Sequence, residues 1–259
     1  MLSNKSILYL ISLTFFLSAV SFAQGTAGEK AKYEYRYLID MPTAGVLEKG
    51  FVGLNTDIMP QGVLIAYLEV GVFENISFGI SYGGANLIGS GKVDWYKYPG
   101  VIFRARILNE TTTIPAFTVG FNSQGKGMYF NDEKRYAIKS PGFYAAASKN
   151  FDFLGFLALH ATANYSLENT DGDNFVNFMV GFEKTLGSEV SFILEYDFAL
   201  NDNKGEFGNG KGYLNTGLRW SLGNGFTIEL DLRDLLKNRN WNPNSADRAL
   251  RIEYIQAIF

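Results

Sequence analysis

The stretch Ile76-Ser77-Phe78-Gly79-Ile80-Ser81-Tyr82-Gly83 alternates large apolar residues with small ones. A period of two places the apolar residues on one face of a β-strand and the remaining residues on the other. Each run of this kind is close to the ~9–11 residues that a tilted strand needs to cross a bilayer. Eleven further runs cover residues 51–59, 62–72, 100–108, 114–123, 142–151, 156–167, 175–186, 190–200, 212–222, 226–235 and 249–259.

The connections between these runs differ in length in a regular way. Short links such as 74–75 and 187–189 alternate with long ones, which include 84–99, 124–141 and 201–211. Short turns on one rim and long loops on the other are typical of bacterial membrane barrels. The sequence therefore predicts an all-β fold over residues 50–259. The predicted fold is a transmembrane antiparallel up-and-down β-barrel of about 12 strands, with short periplasmic turns and longer external loops.

The last run departs from simple alternation. Leu250, Ile252 and Tyr254 share one phase, whereas Ile255 and Ala257 share the other, so the pattern predicts a β-bulge near Tyr254–Ile255. The final residue, Phe259, resembles the C-terminal signal that guides assembly of outer-membrane barrels. That resemblance implies contact with the barrel-assembly machinery during biogenesis.

Residues 1–23 have the pattern of a secretory signal peptide. Lys5 provides a positive charge, Ile7 to Val20 form a short apolar core, and Ser21-Phe22-Ala23 places small residues at the cleavage site. The alternative is an uncleaved membrane anchor, which the short core disfavours. We predict Sec-type export, cleavage near Ala23 and an outer-membrane location. Residues 24–49 are predicted to be a periplasmic or lumen-entering N-terminal segment.

Composition narrows the function further. The formal charge of −3 disfavours a nucleic-acid partner, and the absence of cysteine excludes disulfides and thiolate metal sites. The glycine-rich stretches 83–91 and 205–212 lack the Lys-Ser/Thr ending of a phosphate loop. The acidic loops 171–174 and 201–203 lack the full spacing of a calcium loop. We therefore expect no cofactor and no metal.

The polar face of the strands carries ionisable residues. An Arg or Lys that faces lipid at mid-membrane costs about 2–4 kcal/mol, so these residues are expected to face the lumen. The acidic members are Asp57, Glu69, Glu183, Glu195, Asp197, Glu229, Asp231 and Glu253, and the basic members are Arg104, Arg106, Arg219, Arg233 and Arg251.

Two interpretations of this row are open. In the first, Arg104 and Arg106 lie across a pore from the carboxylates and create a transverse field, which favours small polar or zwitterionic solutes. In the second, Arg219 pairs with carboxylates of adjacent strands, and the network fills a narrow barrel. Its candidate partners are Glu195, Asp197 and Glu229.

Aromatic residues are predicted at the membrane interfaces and in the external loops. Trp95, Tyr96 and Tyr98 are the candidates for external contacts, including contacts with sugars.

A possible catalytic pattern surrounds the only histidine. His160 and Thr162 lie two apart on one strand face, with Asn164 beyond. This spacing is similar to the His-x-Ser pair and Asn of a twelve-stranded outer-membrane phospholipase family. Here threonine stands at the nucleophile position and the row faces the lumen. Since the roles of a catalytic triad are unmet, no enzyme is expected, and a lipolytic activity is kept as the last alternative.

Three stretches carry a family resemblance. They are GVIFRARILNE at 100–110, IPAFTVGF at 114–121 and GFYAAASKN at 142–150. In this order they resemble YjbH-like outer-membrane proteins, in which a basic strand, an Asn/Glu turn and a Pro-led strand precede an Ala-Ser-Lys strand. The resemblance implies a barrel and a link with exopolysaccharide production and export.

These observations lead to two functional expectations. The first is a passive channel or transport component for small polar solutes, with altered conductance when Arg104 and Arg106 are both replaced by alanine. The second is an accessory role in exopolysaccharide export or biosynthesis. Expected partners are outer-membrane lipid and either small polar solutes or polysaccharide.

Overall fold

The computed structural model describes residues 33–203, 207–241 and 246–258. The predicted leader over residues 1–23 and the terminal Phe259 lie outside the described residues, so both stay predictions. No described residue belongs to a helix long and apolar enough to cross a membrane.

Fifteen strands occur in the described ranges, together with a short 3-10 turn at Pro60–Gly62. The strands are β1 (Phe51–Met59), β2 (Val63–Phe73), β3 (Ile76–Ala85), β4 (Asp94–Trp95), β5 (Gly100–Leu108), β6 (Ala116–Asn122), β7 (Lys126–Phe130), β8 (Arg135–Ile138), β9 (Gly142–Asp152), β10 (Phe156–Tyr165), β11 (Asn177–Thr185), β12 (Val190–Asp197), β13 (Tyr213–Gly223), β14 (Phe226–Arg233) and β15 (Asp247–Ala257).

Twelve of these strands form one closed antiparallel wall. Each wall strand pairs with its neighbours in chain order, and β1 pairs with both β2 and β15, which closes the ring. Closure leaves the wall without a free edge, as a backbone surrounded by lipid requires. The predicted twelve-stranded barrel is confirmed.

The outer surface of the wall is apolar. Leu218 faces Leu230 on one neighbouring strand and Phe192 on the other, and both leucines are about half exposed or more. Leu54, Phe78, Ile80 and Phe178 are similarly exposed on other strands. A continuous band of exposed apolar side chains around a closed sheet is the lipid-facing surface of a membrane barrel.

The predicted bulge in the last strand is wrong. Strand β15 keeps an unbroken register with β1 through both Tyr254 and Ile255. Ile255 simply points inward and is buried, opposite Gly53. The methyl end of Leu47 lies close to Gly53, so an apolar side chain is accommodated at this inward position.

Three short strands were not predicted. Strand β4 extends the outer end of β3, whereas β7 and β8 form a hairpin inside the long external loop between β6 and β9. Tyr136 of this hairpin packs against inward-facing residues of the wall, including Ile65, Tyr67 and Ile102. The hairpin therefore occupies the outer end of the lumen.

Candidate functional site in the plugged lumen

Residues 33–49 lie inside the barrel, and we call this segment the plug. Its Leu38, Ile39 and Met41 are fully buried and pack against Met179 and Ile193 of the wall. The segment lies within the range predicted to be periplasmic or lumen-entering. The described lumen is thus filled at mid-height by the chain's own N-terminal part.

The plug folds back on itself in a tight turn. The amide of Leu38 donates to the carbonyl of Met41 over 2.9 Å, and the amide of Thr43 donates to the carbonyl of Arg36 over 3.0 Å. Gly45 is needed beside this turn because a Cβ there would collide with the carbonyl oxygen of Tyr35. The turn presents a row of peptide groups to the wall.

A single carboxylate of the wall holds the amide groups of this turn. Glu195 on β12 is fully buried and accepts hydrogen bonds from the amides of Ile39 (2.8 Å), Asp40 (3.0 Å) and Met41 (2.9 Å). Asn215 donates to the same carboxylate over 3.0 Å. Hydrogen bonds to an ionised acceptor are stronger than neutral ones, so Glu195 is the main anchor of the turn.

Two arginines hold the carbonyl groups of the same turn. Arg219 on β13 donates to the carbonyls of Tyr37 (3.1 Å) and Leu38 (2.6 Å). Arg251 on β15 donates to the carbonyl of Ile39 over 2.6 Å. Amides and carbonyls of residues 37–41 are therefore bound by three charged side chains of one wall sector.

The opposite sector of the wall binds the rest of the plug. The hydroxyl of Thr162 donates to the carbonyl of Pro42 over 2.6 Å, and the hydroxyl of Thr118 donates to the carbonyl of Ala44 over 2.7 Å. The amide of Ala44 donates to the hydroxyl of Ser148 over 3.0 Å. These contacts again involve the main chain of the plug rather than its side chains.

The arginines and carboxylates of the wall alternate around half of the ring, and we call this set the charged belt. Arg251 lies opposite both Asp57 and Glu229 in the strand register, at 2.8 and 3.0 Å. Arg219 lies opposite Glu229 and also binds Glu183 at 2.7 Å. All five side chains are buried, so each charge has a partner of opposite sign where water is excluded.

Charged side chains of the plug pair with the wall as well, and one of them, Glu34, binds Arg106. Arg36 binds Glu69 at 3.1 Å and also binds Glu253. Asp40 binds Arg233. Lys126 of β7 binds Asp57 of the belt, which ties the external hairpin to the same network.

The structure places the predicted lumen-charge candidates as follows. Arg219 binds Glu229, one of its three candidate partners, and the additional residue Glu183, whereas Glu195 binds the plug. Asp197 accepts from Asn177 and from the amide of Ala199, both at 2.7 Å. Asp231 lines a small cavity together with Arg233.

Arg104 and Arg106 do not face an open path. Arg104 is buried, lies 3.4 Å from Glu69 and approaches the carbonyls of Thr43 and Gly45. Arg106 binds Glu34 of the plug and donates to the carbonyl of Ala44 over 2.7 Å. Both therefore bind the plug in this conformation, and a transverse field across water would require the plug to leave.

The three external aromatic candidates differ in exposure. Trp95 and Tyr98 are 55% and 65% exposed. Tyr96, expected among the surface aromatics, is only 2% exposed, because its ring packs edge-on against Tyr136 of the external hairpin and its hydroxyl donates to Gly127. Tyr96 is a packing residue and not a contact for external ligands.

Ion pairs and hydrogen bonds fix the hairpin to the neighbouring external loops. Arg135 binds Asp171 and Asp202, each at 2.7 Å. Glu168 accepts hydrogen bonds from the amides of Tyr136 and Ser140. Burial raises the pKa of the Glu168 carboxyl, and the hydrogen bonds from these residues oppose that shift.

His160 does not form a catalytic triad. Its Nδ1 lies 2.7 Å from the hydroxyl of Ser148, and its Nε2 is buried without a hydrogen-bond partner. Thr162 instead binds the plug, and Asn164 donates to the carbonyl of Pro141. Within the described residues, no group of three or more His, Cys, Asp or Glu side chains has the geometry of a metal site.

Sequence comparisons found no match to a family model or to a curated protein. The resemblance to YjbH-like proteins therefore stays a prediction.

Solved structures show a weak likeness in shape. The chain is similar to the KdgM porin, with 7% identity, a TM-score of 0.49 and coverage of 79% of this chain and 98% of that chain. A NanC porin structure is 12% identical, with a TM-score of 0.45 and coverage of 80% of this chain and 98% of that chain. Salmonella typhi OmpF in complex with daunomycin is 16% identical, with a TM-score of 0.31 and coverage of 74% of this chain and 61% of that chain. The assignment to the membrane-barrel class rests on the chain's own strand pairing.

Proposed function

We propose that this chain forms a gated passive channel for small polar solutes in the outer membrane, and that the plug is its closed gate. One observation carries the proposal: the wall is closed by strand pairing alone, and the plug is not part of that pairing. The hydrogen bonds that residues 36–45 make to the wall run to wall side chains. The plug can therefore leave without opening the sheet.

The chemistry of the lumen supports polar solutes. Once residues 33–49 leave, the exposed lining includes the charged belt, Glu195, Arg104 and the hydroxyls of Thr118 and Thr162, with Lys126 of the external hairpin still bound to Asp57. A lumen lined by charges of both signs favours polar or zwitterionic solutes over apolar ones. At the periplasmic mouth a small cavity already lies between the plug, Arg106, Glu110 and His160.

The proposed location follows from the two surfaces of the wall. The apolar exterior suits lipid, and the signal peptide predicted over residues 1–23 would direct export. We infer Sec-type export with cleavage near Ala23, followed by insertion through the barrel-assembly machinery. Lipid would then be the permanent partner and the solute a transient one.

Opening should follow from unseating the plug in the full-length chain. In the double variant Leu38→Asp/Ile39→Asp, two carboxylates replace side chains that are fully buried against Met179 and Ile193. Because an unpaired charge is costly in such a site, the plug should leave the lumen. We expect ion conductance in planar bilayers to rise by about tenfold or more over the wild-type chain, the factor that a 1.4 kcal/mol change in the gate's equilibrium produces.

The variant Lys49→Asp is the matched control, since Lys49 is exposed at the end of the plug. It should leave conductance at the wild-type level. Heat-modifiable migration on gels would verify that each variant retains a folded barrel. A folded double variant whose plug is accessible to protease, yet which conducts no ions, would rule out the channel.

An accessory role in exopolysaccharide export is the second candidate. The observation that favours it is the exposed pair Trp95 and Tyr98 at the outer rim, with Trp95 stacked on Tyr82 at 5.7 Å and 8°. Such aromatic faces are suited to contact with sugar rings, which have an apolar side.

If this role holds, Trp95→Ala/Tyr98→Ala should reduce binding of the cell's exopolysaccharide about tenfold in a pull-down with purified barrel. Permeability to small solutes should not change. The variant Tyr82→Ala removes the stacking partner alone and should have a smaller effect. Unaltered polysaccharide binding in the double variant would eliminate this candidate.

A further inference from the structure

We propose that the wall around Glu195, Arg219 and Arg251 is a binding site for the main chain of a short peptide, and that the plug's turn at residues 37–41 occupies it in the closed protein. This inference rests on the proposed function, because it assumes that the plug leaves. It deepens that function by assigning the solute class as short peptides.

The first argument is the type of group that each side chain binds. From the turn, Glu195 binds only N–H groups, those of the consecutive residues Ile39, Asp40 and Met41. Arg219 and Arg251 bind only carbonyl groups of the same turn. A polypeptide is the solute that offers closely spaced N–H donors and C=O acceptors, and the site satisfies both kinds.

The second argument is that the hydrogen bonds of the site reach the main chain of the turn. The ring of Tyr35, whose centroid lies 3.8 Å from the guanidinium carbon of Arg219, belongs to the plug outside that turn. None of the six hydrogen bonds above involves a side-chain atom of the plug. A different peptide can therefore make the same hydrogen bonds. A site that required Arg36 or Asp40 for its core contacts would not have this property.

The third argument is preorganisation. Arg219 is held by Glu183 and Glu229, and Arg251 is held by Asp57 and Glu229, all of which belong to the wall. These pairs persist when the plug leaves, so both guanidinium groups stay aimed at the lumen. Binding then requires little ordering of the site, which raises affinity.

The fourth argument concerns the space beside the hydrogen-bonding groups. Met179 and Ile193 form an apolar surface against which Leu38, Ile39 and Met41 pack. With the plug displaced, this surface would accept apolar side chains of the incoming peptide. We therefore infer a preference for peptides that contain a residue such as leucine.

The test uses the full-length release variant Leu38→Asp/Ile39→Asp in detergent micelles, with binding measured by isothermal titration calorimetry. The probe is the tripeptide acetyl-Gly-Leu-Gly-amide, whose blocked ends remove terminal charges. We expect it to bind the release variant and not the wild-type protein. Addition of Glu195→Gln should weaken binding by about tenfold or more, because a charged acceptor of several N–H groups is lost.

Two controls distinguish recognition of the peptide main chain from non-specific binding. Maltose, a polar solute of similar size without amide groups, should bind at least about tenfold more weakly than the tripeptide. Asp197→Asn changes a buried carboxylate on the same strand that does not contact the plug turn, and it should leave peptide binding unchanged. Equal binding of maltose and peptide, or unchanged peptide binding with Glu195→Gln, would overturn the inference.

Calorimetry tests the peptide site and conductance tests the channel, so the two proposals can be contradicted separately. A release variant that conducts ions but does not bind the peptide would contradict the peptide site alone and would still support the channel. A folded release variant that does not conduct ions would contradict the channel, and peptides could then not be its transported solute. If the double variant does not fold, Ile39→Asp alone provides the same comparison.

Discussion

Replacing Arg219 with leucine is expected to lower the free energy of unfolding of the barrel by about 3–5 kcal/mol, the cost of removing one partner from a buried ion pair. Arg219 is 1% exposed and binds Glu183, Glu229 and two carbonyls of the plug. Among the described residues, leucine leaves Glu183 without a cation and with the hydroxyl of Ser191 as its remaining partner. Glu229 keeps Arg251, so the loss is concentrated at Glu183.

The measurement is urea unfolding of the barrel in lipid vesicles, followed by tryptophan fluorescence and by heat-modifiable migration. Arg248→Leu is the matched control, because Arg248 is exposed at the outer end of β15 and its loss should cost less than about 0.5 kcal/mol. Adding Glu183→Gln to Arg219→Leu should recover part of the stability, since a neutral amide is cheaper to bury than a carboxylate. Equal stability of Arg219→Leu and Arg248→Leu would show that the charged belt does not stabilise the wall.

The wall could be predicted from sequence because its signal is local. In β3, Phe78, Ile80 and Tyr82 face lipid as the alternation requires, and the same holds for Leu218 and Leu230 on β13 and β14. A strand between lipid and lumen has two chemically distinct faces, so a period of two is imposed along its whole length. The bulge was a misinterpretation because Ile255 is an apolar residue on the inward face.

The plug's contacts could not be predicted because they are not local. Arg36 and Glu253 are 217 residues apart, and no periodicity in residues 33–49 indicates which face of the segment is buried. The inward row did contain one usable signal: it has eight carboxylates but five arginines. Buried carboxylates need cations, and Arg36 of the plug and Lys126 of the hairpin supply two of them.

The hairpin in the external loop was missed for a related reason. Its two strands have only five and four residues, which is too short for alternation to stand out. Tyr136 is buried because it meets wall residues such as Ile65 and Ile102, distant in the chain. The prediction that Tyr96 is a surface residue failed because its packing partner Tyr136 belongs to this unpredicted hairpin.

Replacing Glu195 with glutamine is expected to loosen the plug without unfolding the wall. Three amides of the turn donate to this carboxylate, and a hydrogen bond to a charged group contributes about 1.5–3 kcal/mol. Glutamine keeps one acceptor oxygen and loses the charge, so a net weakening of about 2 kcal/mol is expected. That corresponds to about a 30-fold rise in the population of the unseated plug.

Hydrogen exchange followed by mass spectrometry measures the population of the unseated plug. Amides of residues 39–41 are protected by Glu195, so Glu195→Gln should speed exchange in peptides from 33–49 by about 30-fold, while exchange in β12 and β13 is unchanged. Asp197→Asn is the matched control on the same strand and the same face, because its partners are Asn177 and Ala199 and not the plug. If both variants accelerated plug exchange equally, Glu195 would be one lumen charge among many, and the turn would be held by its apolar contacts with Met179 and Ile193.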